Sequence, residues 1–154
     1  MKVVVVASGD LDPRDTMWLD GADLVIAADG GAASLDRLAQ RPDLLVGDLD
    51  SADAATVERF ATVGTRVERH LPDKDASDTE LALEAALAAG ATEIVLLGAV
   101  GGDRLDHELT NLLLLTDPTL AGRDVRLARG STSVRVLHGG VQLALAGDEG
   151  DLVT

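Results

Sequence analysis

The sequence has 154 residues, enough to bury one hydrophobic core, and 46% of them are hydrophobic. Its formal net charge of −14 argues against nucleic acid or anionic membranes as partners, because phosphate binding relies on Lys and Arg. The lack of cysteine excludes disulfides, zinc–thiolate sites and thiol nucleophiles. The apolar run within residues 1–9 is too short for a signal peptide or a membrane span, so we expect a cytoplasmic protein.

The chain up to about residue 117 alternates apolar runs of strand length with segments of helical periodicity. The unbroken β-branched run over residues 3–7 is typical of a central parallel strand that is covered on both faces. Further strands are predicted at 23–28, 43–46, 66–71 and 93–97, and helices at 32–40, 52–63, 78–89 and 105–117. Regular alternation predicts an α/β fold, with a doubly wound, mostly parallel sheet and helices on both faces.

Two details concern the core. Trp18 lies in a polar loop or short helix over residues 10–20, and we expect it to pack in the core rather than stack on a ligand ring. In the last helix, leucines at helical spacing predict one apolar face, formed by Leu105, Leu109, Leu112 and Leu113.

The first acidic cluster follows the apolar run at 44–46. Asp48 and Asp50 are one residue apart, so they point to the same side if the backbone there is extended. Adjacent like charges are unfavourable unless something positive lies between them, and Mg²⁺ prefers oxygen ligands. The alternative is an Asp-rich turn in which Ser51 or Asp53 caps the next helix.

A second acidic cluster spans residues 73–80. Ser77 and Glu80 have the spacing of a capping box, which predicts a helix that begins at Asp78. Capping explains these three residues but leaves Asp73 and Asp75 as a local excess of charge.

A third region, residues 98–107, combines glycines with charged groups. Glycine lets the backbone approach a phosphate closely, and Arg pairs with one bidentately. The candidates here are Gly101, Gly102, Arg104, Asp106 and His107.

Four motifs in this order, with strands and helices between them, resemble thiamin pyrophosphokinase. They are Asp29-Gly30-Gly31, Gly47-Asp48-Leu49-Asp50-Ser51, Asp73-Lys74-Asp75-Ala76-Ser77-Asp78 and Gly101-Gly102-Asp103-Arg104-Leu105-Asp106-His107. The resemblance covers about the first four-fifths of the chain and implies Mg²⁺-dependent transfer of pyrophosphate from ATP to the hydroxyl of thiamin, which gives thiamin pyrophosphate and AMP. The P-loop signature is absent, so metal-bound carboxylates would take a larger share of phosphate binding.

The resemblance also implies roles for individual residues. Asp48, Asp50 and Asp78 would hold Mg²⁺ against the triphosphate. Asp75 and Asp106 would support these ligands or orient the acceptor hydroxyl, which completes a catalytic set of five carboxylates.

Nucleotide-binding roles follow in the same way. Lys74 and Arg104 would contact phosphates, although Arg104 could instead pair with Asp103 or Glu108 on the surface. His107 would bond to a phosphate or to the acidic network, and simple hydrogen bonding is the safer expectation for it. The remaining expected binding residues are Asp29, Gly30, Gly31, Ser77, Gly101 and Gly102.

From residue 124 the pattern changes to short strands at 125–128, 133–137 and 141–145. No helical segment separates them, which predicts an antiparallel β unit and two domains, 1–123 and 124–154. In the family a β-sandwich follows the α/β domain and helps to form the thiamin site across a homodimer. The second domain would be the start of this sandwich, incomplete within these residues.

Two alternatives remain open. A pyrophosphokinase of the same architecture could act on another alcohol, such as 6-hydroxymethylpterin. The chain could also be a non-catalytic nucleotide-binding module, although the presence of all five carboxylates argues against that.

Overall fold

The computed structural model describes residues 1–71, 76–140 and 142–154. The strands are β1 (Lys2–Val6), β2 (Leu24–Ala28), β3 (Leu44–Gly47), β4 (Arg66–Arg69), β5 (Glu93–Leu97), β6 (Asp124–Arg129) and β7 (Thr132–Val134). The helices are α1 (Thr16–Leu19), α2 (Gly31–Arg37), α3 (Ala54–Thr62), α4 (Asp78–Ala88) and α5 (Leu105–Leu114), with 3₁₀ turns at Pro13–Asp15 and Pro118–Leu120. The strands and helices predicted up to residue 117 all form, with ends that differ by a few residues.

The strands make one sheet in the order β4-β3-β2-β1-β5-β6-β7, parallel except for the β6–β7 pair. β1 lies at its centre, with Val4 opposite Val25 of β2 and Val95 of β5. The chain builds outward from β1 to β4 on one side and then from β5 to β7 on the other. This reversal next to β1 creates a crevice at the carboxyl ends of β1 and β5, where open α/β sheets bind ligands.

Both faces of the sheet are covered, as predicted. Val3 and Val5 face the layer that contains α4, while Val4 and Val6 face α2 and α3, and all four valines are fully buried. A β-branched run suits this position because both faces of a central parallel strand are dry. The core is aliphatic, apart from Phe60 and the partly buried Trp18.

Trp18 packs against the core, as expected. Its indole Nε1 donates a hydrogen bond to the carbonyl of Gly130, at 3.2 Å. The fully buried carboxylate of Asp15 accepts a hydrogen bond from the Gly130 amide at 2.5 Å. These two hydrogen bonds therefore connect the segment between β1 and β2 to the turn between β6 and β7.

The four leucines expected to share one face of α5 do so, but this face is largely exposed. Leu105, Leu109 and Leu113 are 77%, 56% and 58% exposed, and only Leu112 packs against the core. Asn111 sets the orientation of the helix, because its buried Nδ2 donates to the carbonyl of Ala99 at 2.9 Å. The stripe at spacing i, i+4, i+8 is consequently turned away from the sheet.

The region after residue 123 differs from the predicted antiparallel unit. β6 pairs in parallel with β5 and antiparallel only with β7, and Leu127 and Ala128 are buried on opposite faces of the sheet. β6 thus belongs to the α/β sheet, because burial on both faces favours a place beside β5. The division at residue 123 stays a prediction.

The strand predicted at 141–145 does not form over residues 142–145, and residue 141 lies outside the described ranges. Leu143 and Leu145 are 38% and 58% exposed, and no neighbouring strand within the described residues pairs with them. In the part of the chain that the structure describes, every helix is too short or too polar to cross a bilayer.

Candidate functional site

A cleft of about 500 Å³ opens at the carboxyl ends of β1 and β5, where the order of the strands reverses. Ser8 and Gly9, which follow β1, line it together with the adjoining Gly98 and Ala99, which follow β5. Residues from several sequence motifs also line it: Asp48, Ser77, Asp78, Gly102, Asp103, Arg104, His107, Glu108 and Asn111. The topology therefore brings two acidic motifs and the glycine-rich motif to one place.

Three carboxylates gather at this edge of the sheet. One oxygen each from Asp29, Asp48 and Asp78 lie within 4.8 Å of one another, and we call these residues the acidic pocket. Asp29 follows β2 and Asp48 follows β3. Because Ala28 lies opposite Val46 in register, the ends of the two strands meet. Asp78 comes from the first turn of α4, so three separate elements supply the cluster.

Gly47 makes this convergence possible. Its φ is +142°, and a Cβ at this position would lie 2.9 Å from Oδ1 of Asp78 and 3.2 Å from Cβ of Asp29. A side chain here would push the carboxylate of Asp78 out of the pocket. Glycine is thus required both by its backbone conformation and by the close approach of Asp78.

Asp29 carries the most unfavourable charge of the pocket. The residue is 4% exposed, and its Oδ1 is buried without a hydrogen-bond partner among the described residues. Burial raises its pKa, the nearby Ser51 hydroxyl lowers it, and the negative charge of Asp78 raises it further. A buried carboxylate with unmet bonding capacity beside two others fits a hard divalent cation such as Mg²⁺.

Asp50 does not belong to this cluster, contrary to the argument from alternation. The backbone between Asp48 and Asp50 is not extended, because Leu49 has a φ of +62° and its side chain is buried. Asp50 is exposed, and its Oδ1 accepts a hydrogen bond from the Ser51 hydroxyl at 3.0 Å. A ligand role for Asp50 stays a prediction, while Asp29 takes the third position in the pocket.

The alternative interpretation of this loop, as a helix cap, is also realised. Asp53 is the N-cap of α3, and its Oδ2 accepts from the Thr56 amide at 3.1 Å. Capping and the acidic pocket thus use different aspartates of the same segment.

The predicted capping box at the start of α4 is confirmed. Ser77 Oγ accepts from the Glu80 amide at 3.2 Å, and Glu80 Oε2 accepts from the Ser77 amide at 2.7 Å. The box fixes the first turn of the helix and hence the position of Asp78. The expected roles of Asp73, Lys74 and Asp75 lie outside the described residues.

Gly30 and Gly31 begin α2 directly beside the end of β1. A Cβ on Gly31 would lie 2.1 Å from the carbonyl oxygen of Val6, and one on Gly30 would lie 3.2 Å from the Ser8 side chain. These glycines allow close packing of helix and strand. Their expected part in nucleotide binding stays a prediction.

The glycine loop, residues 98–104, is held by a residue that the sequence analysis named only as a surface ion-pair partner. Glu108 Oε1 accepts from the amides of Gly101 and Gly102, at 2.6 and 3.0 Å. Gly101 has a φ of +93°, and a Cβ on it would lie 2.4 Å from Cζ of Arg129. Arg129 was missed altogether, because nothing in its sequence neighbourhood places it beside Gly101.

Arg104 pairs with neither Asp103 nor Glu108 but with Asp106. Its Nε donates to Asp106 Oδ1 at 2.9 Å, and its Nη2 donates to Oδ2 at 2.5 Å. This bidentate bond lowers the pKa of Asp106 well below its usual range. Both side chains are exposed, by 65% and 64%, so the pair stays accessible to an incoming phosphate.

Comparisons with known proteins agree with this geometry. Residues 16–127 match the family described as thiamin pyrophosphokinase, catalytic domain. The chain is 30% identical over 130 residues to thiamine pyrophosphokinase of Bacillus subtilis (strain 168), which covers 82% of this chain and 60% of the relative. It is 29% identical over 133 residues to thiamine pyrophosphokinase 1 of Oryza sativa subsp. japonica, covering 73% of this chain and 50% of the relative.

The fold agrees as well. The crystal structure of thiamine pyrophosphokinase from Bacillus subtilis superposes with a TM-score of 0.70 at 31% identity, covering 83% of this chain and 60% of that one. The chain spans about half the length of the curated relatives that it matches. The family match extends over most of the sheet and includes all three aspartates of the acidic pocket. The chain belongs to the thiamin pyrophosphokinase catalytic-domain family.

Proposed function

We propose that this chain carries the nucleotide-binding, catalytic part of a thiamin pyrophosphokinase. The reaction is Mg²⁺-dependent transfer of pyrophosphate from ATP to the hydroxyl of thiamin. The observation that carries the proposal is the convergence of Asp29, Asp48 and Asp78 at the cleft next to the glycine loop. The names of the relatives favour thiamin over a pterin alcohol as the acceptor.

The acidic pocket is the proposed Mg²⁺ site. Asp48 and Asp78 lie on the wall of the cleft, and Asp29 supplies a buried oxygen that lacks a partner among the described residues. Asp50 is separated from Asp48 by Leu49 and is exposed. We propose that it contacts a phosphate or a water molecule bound to the metal. When bound, Mg²⁺ would neutralise triphosphate charge and polarise the reacting phosphorus–oxygen bonds.

In the proposed step, the hydroxyl oxygen of thiamin forms a bond to the β-phosphorus of ATP. The bond from this phosphorus to the oxygen shared with the α-phosphorus breaks, and AMP leaves with the electron pair. The hydroxyl proton passes to a carboxylate, for which Asp75 is the proposed acceptor, and Asp106 is proposed to orient the hydroxyl. Such transfers depend on positioning and charge neutralisation more than on covalent help.

Residues that line the cleft would hold the nucleotide: Arg104 is a proposed phosphate contact, and His107 and Ser77 would bond to phosphate oxygens. Lys74, outside the described residues, is proposed as a further phosphate contact from the resemblance alone. We also propose a cytoplasmic homodimer in which the two chains together form the thiamin site. The exposed leucines of α5 support association through this helix.

The test incubates the chain with ATP, Mg²⁺ and thiamin and follows AMP and thiamin pyrophosphate by mass spectrometry. The Asp78→Asn variant serves as the inactive control, and 6-hydroxymethylpterin is tested as the alternative acceptor substrate. We expect AMP and thiamin pyrophosphate in equal amounts, formed only with Mg²⁺ and thiamin. ATP binding without thiamin-dependent AMP release would overturn the enzymatic proposal in favour of a binding module.

A further inference from the structure

The glycine loop offers two backbone donors that point at one acceptor. The amides of Gly101 and Gly102 both donate to Oε1 of Glu108, at 2.6 and 3.0 Å. Two converging N–H groups of this kind make a small anion-binding concavity. In this structure the anion is a side chain of the protein itself.

The surroundings of these amides favour a phosphate. The guanidinium of Arg129 lies against Gly101, so close that a Cβ there would come within 2.4 Å of Cζ. Arg129 is exposed, and its side chain forms no hydrogen bond or ion pair with another described residue, although its positive charge acts on the carboxylate of Asp12. Gly102 and Glu108 line the same cleft as Asp48 and Asp78.

Glu108 can leave this position at modest cost. It is only half-buried, it sits in the first turns of α5, and its side chain has several rotatable bonds. A pyrophosphate group brings more oxygens and more negative charge than a carboxylate, and charge-assisted hydrogen bonds strengthen accordingly. Arg129 would add attraction for the phosphate.

We propose that the amides of Gly101 and Gly102 form a phosphate-binding site and that the carboxylate of Glu108 competes for it. A phosphate group of the nucleotide would bind to these amides by displacing Glu108. The inference rests on the proposed function for the identity of the ligand. In this proposal Glu108 has two effects. Its carboxylate stabilises the conformation of the glycine loop in the absence of a ligand, and it lowers the affinity of the loop for phosphate.

The test measures binding of inorganic pyrophosphate to the full chain by calorimetry in Mg²⁺ buffer. Glu108→Gln keeps an oxygen that accepts from both amides but removes the charge, so the loop should remain folded. We expect its affinity to rise about fivefold, because the competing hydrogen bonds lose the extra strength that a charged acceptor gives them. Asp103→Asn is the matched control, because it removes a charge from the same cleft without touching the amides. It should change affinity less than about twofold, since an exposed charge is screened.

Amide NMR signals locate the site. The Gly101 and Gly102 signals should shift on pyrophosphate addition, and in Glu108→Gln they should do so at lower concentrations. Equal or weaker binding by Glu108→Gln, an equal gain in Asp103→Asn, or unmoved glycine signals would each overturn the inference.

The thiamin-dependent AMP assay separates this result from the proposed function. AMP formation without the Glu108 effect removes only the inference. The expected pyrophosphate binding without AMP formation removes only the enzymatic proposal.

Discussion

The acidic pocket and the glycine loop face the same cleft but handle negative charge in opposite ways. In the pocket, burial raises the pKa of Asp29, and its Oδ1 lacks a partner among the described residues. In and after the loop, a hydrogen bond from Arg104 lowers the pKa of Asp106, and two backbone amides bind Glu108. The pocket keeps one buried carboxylate oxygen without a hydrogen-bond partner among the described residues, whereas the loop binds its carboxylates with its own groups.

The proposed cation site follows from a buried carboxylate oxygen without a partner rather than from the number of acidic residues. Asp50, Asp103 and Asp106 are exposed, so water already solvates them at little cost. Asp29 is desolvated, and a buried carboxylate with one oxygen lacking a partner is unfavourable until a cation or a proton arrives. A cation would satisfy the remaining oxygen of Asp29, whereas the loop has to exchange a partner that it already has.

The largest expected effect comes from removing a carboxylate from the pocket. Asp78→Asn keeps the size of the side chain but removes a charge that faces the proposed metal. We expect affinity for ATP in Mg²⁺ buffer to fall about 100-fold or more, as for the loss of other preorganised charge-stabilising groups. Calorimetry measures this effect, with Glu84→Gln on the exposed face of the same helix as the control. Unchanged affinity in Asp78→Asn would exclude it as a ligand.

Gly47→Ala should disturb the pocket without altering any charge. The new Cβ would lie 2.9 Å from Asp78 Oδ1, so the carboxylate has to move, and Mg²⁺-dependent ATP affinity should fall about tenfold. Gly90→Ala is the matched control, because Gly90 also has a positive φ, +86°, but no atom lies within 4 Å of its added Cβ. Similar binding losses in both variants would attribute the effect to backbone strain alone.

Asp29→Asn should weaken Mg²⁺ binding but stabilise the metal-free fold. In metal-free buffer at neutral pH we expect a free energy of unfolding about 1 kcal/mol higher, because a buried, unmet charge is removed. Saturating Mg²⁺ should reverse the order, since the wild type gains a ligand interaction that the variant lacks. Urea unfolding with EDTA and with Mg²⁺ measures both, and exposed Asp10→Asn is the control.

The pH dependence of this difference has a definite sign. The folded-state pKa of Asp29 lies above its ordinary value of 3.8, so the folded state holds this proton more firmly than the unfolded state. The wild type then loses stability as pH rises from that value through the folded-state pKa. The advantage of Asp29→Asn should be absent at low pH and full above this interval. An advantage independent of pH would point to packing as its cause.

Arg104 should give the smallest effect. Arg104→Ala should lower ATP affinity about three- to fivefold, the loss of one charge-assisted contact at an exposed site. Asp106→Asn breaks the same ion pair but leaves Arg104 free, so ATP affinity should stay the same or increase. Calorimetry on both variants distinguishes a phosphate contact from a surface pair, because a pair with no ligand role would make the two variants alike.

Much of the fold was predictable because its signals are local. The β-branched run in β1, the capping box at Ser77 and the glycines after helices indicate strands and helices directly. The third strand predicted after residue 124 does not form over the described residues, and the exposure of the leucine face of α5 was not foreseen, since pairing and the Asn111 hydrogen bond depend on residues outside these segments.

The site was predictable in part. The order of motifs identified Asp48, Asp78 and the glycine loop, which line one cleft. The place of Asp29 in the pocket depends on the register between β2 and β3, and the exclusion of Asp50 depends on the positive φ of Leu49. Glu108 and Arg129 meet the loop only through tertiary packing.

The location of the metal is the central claim, and Mn²⁺ tests it most directly. Stoichiometric Mn²⁺ with ATP replaces Mg²⁺ and broadens amide NMR signals close to it. We expect the strongest broadening at Gly30, Leu49 and Thr79, each next to a carboxylate of the acidic pocket, and little at Gly90 and Gly122, which precede β5 and β6 at the opposite edge of the sheet. The broadening should disappear in Asp78→Asn. Broadening centred elsewhere, or unchanged in that variant, would contradict the assignment of the metal to this pocket.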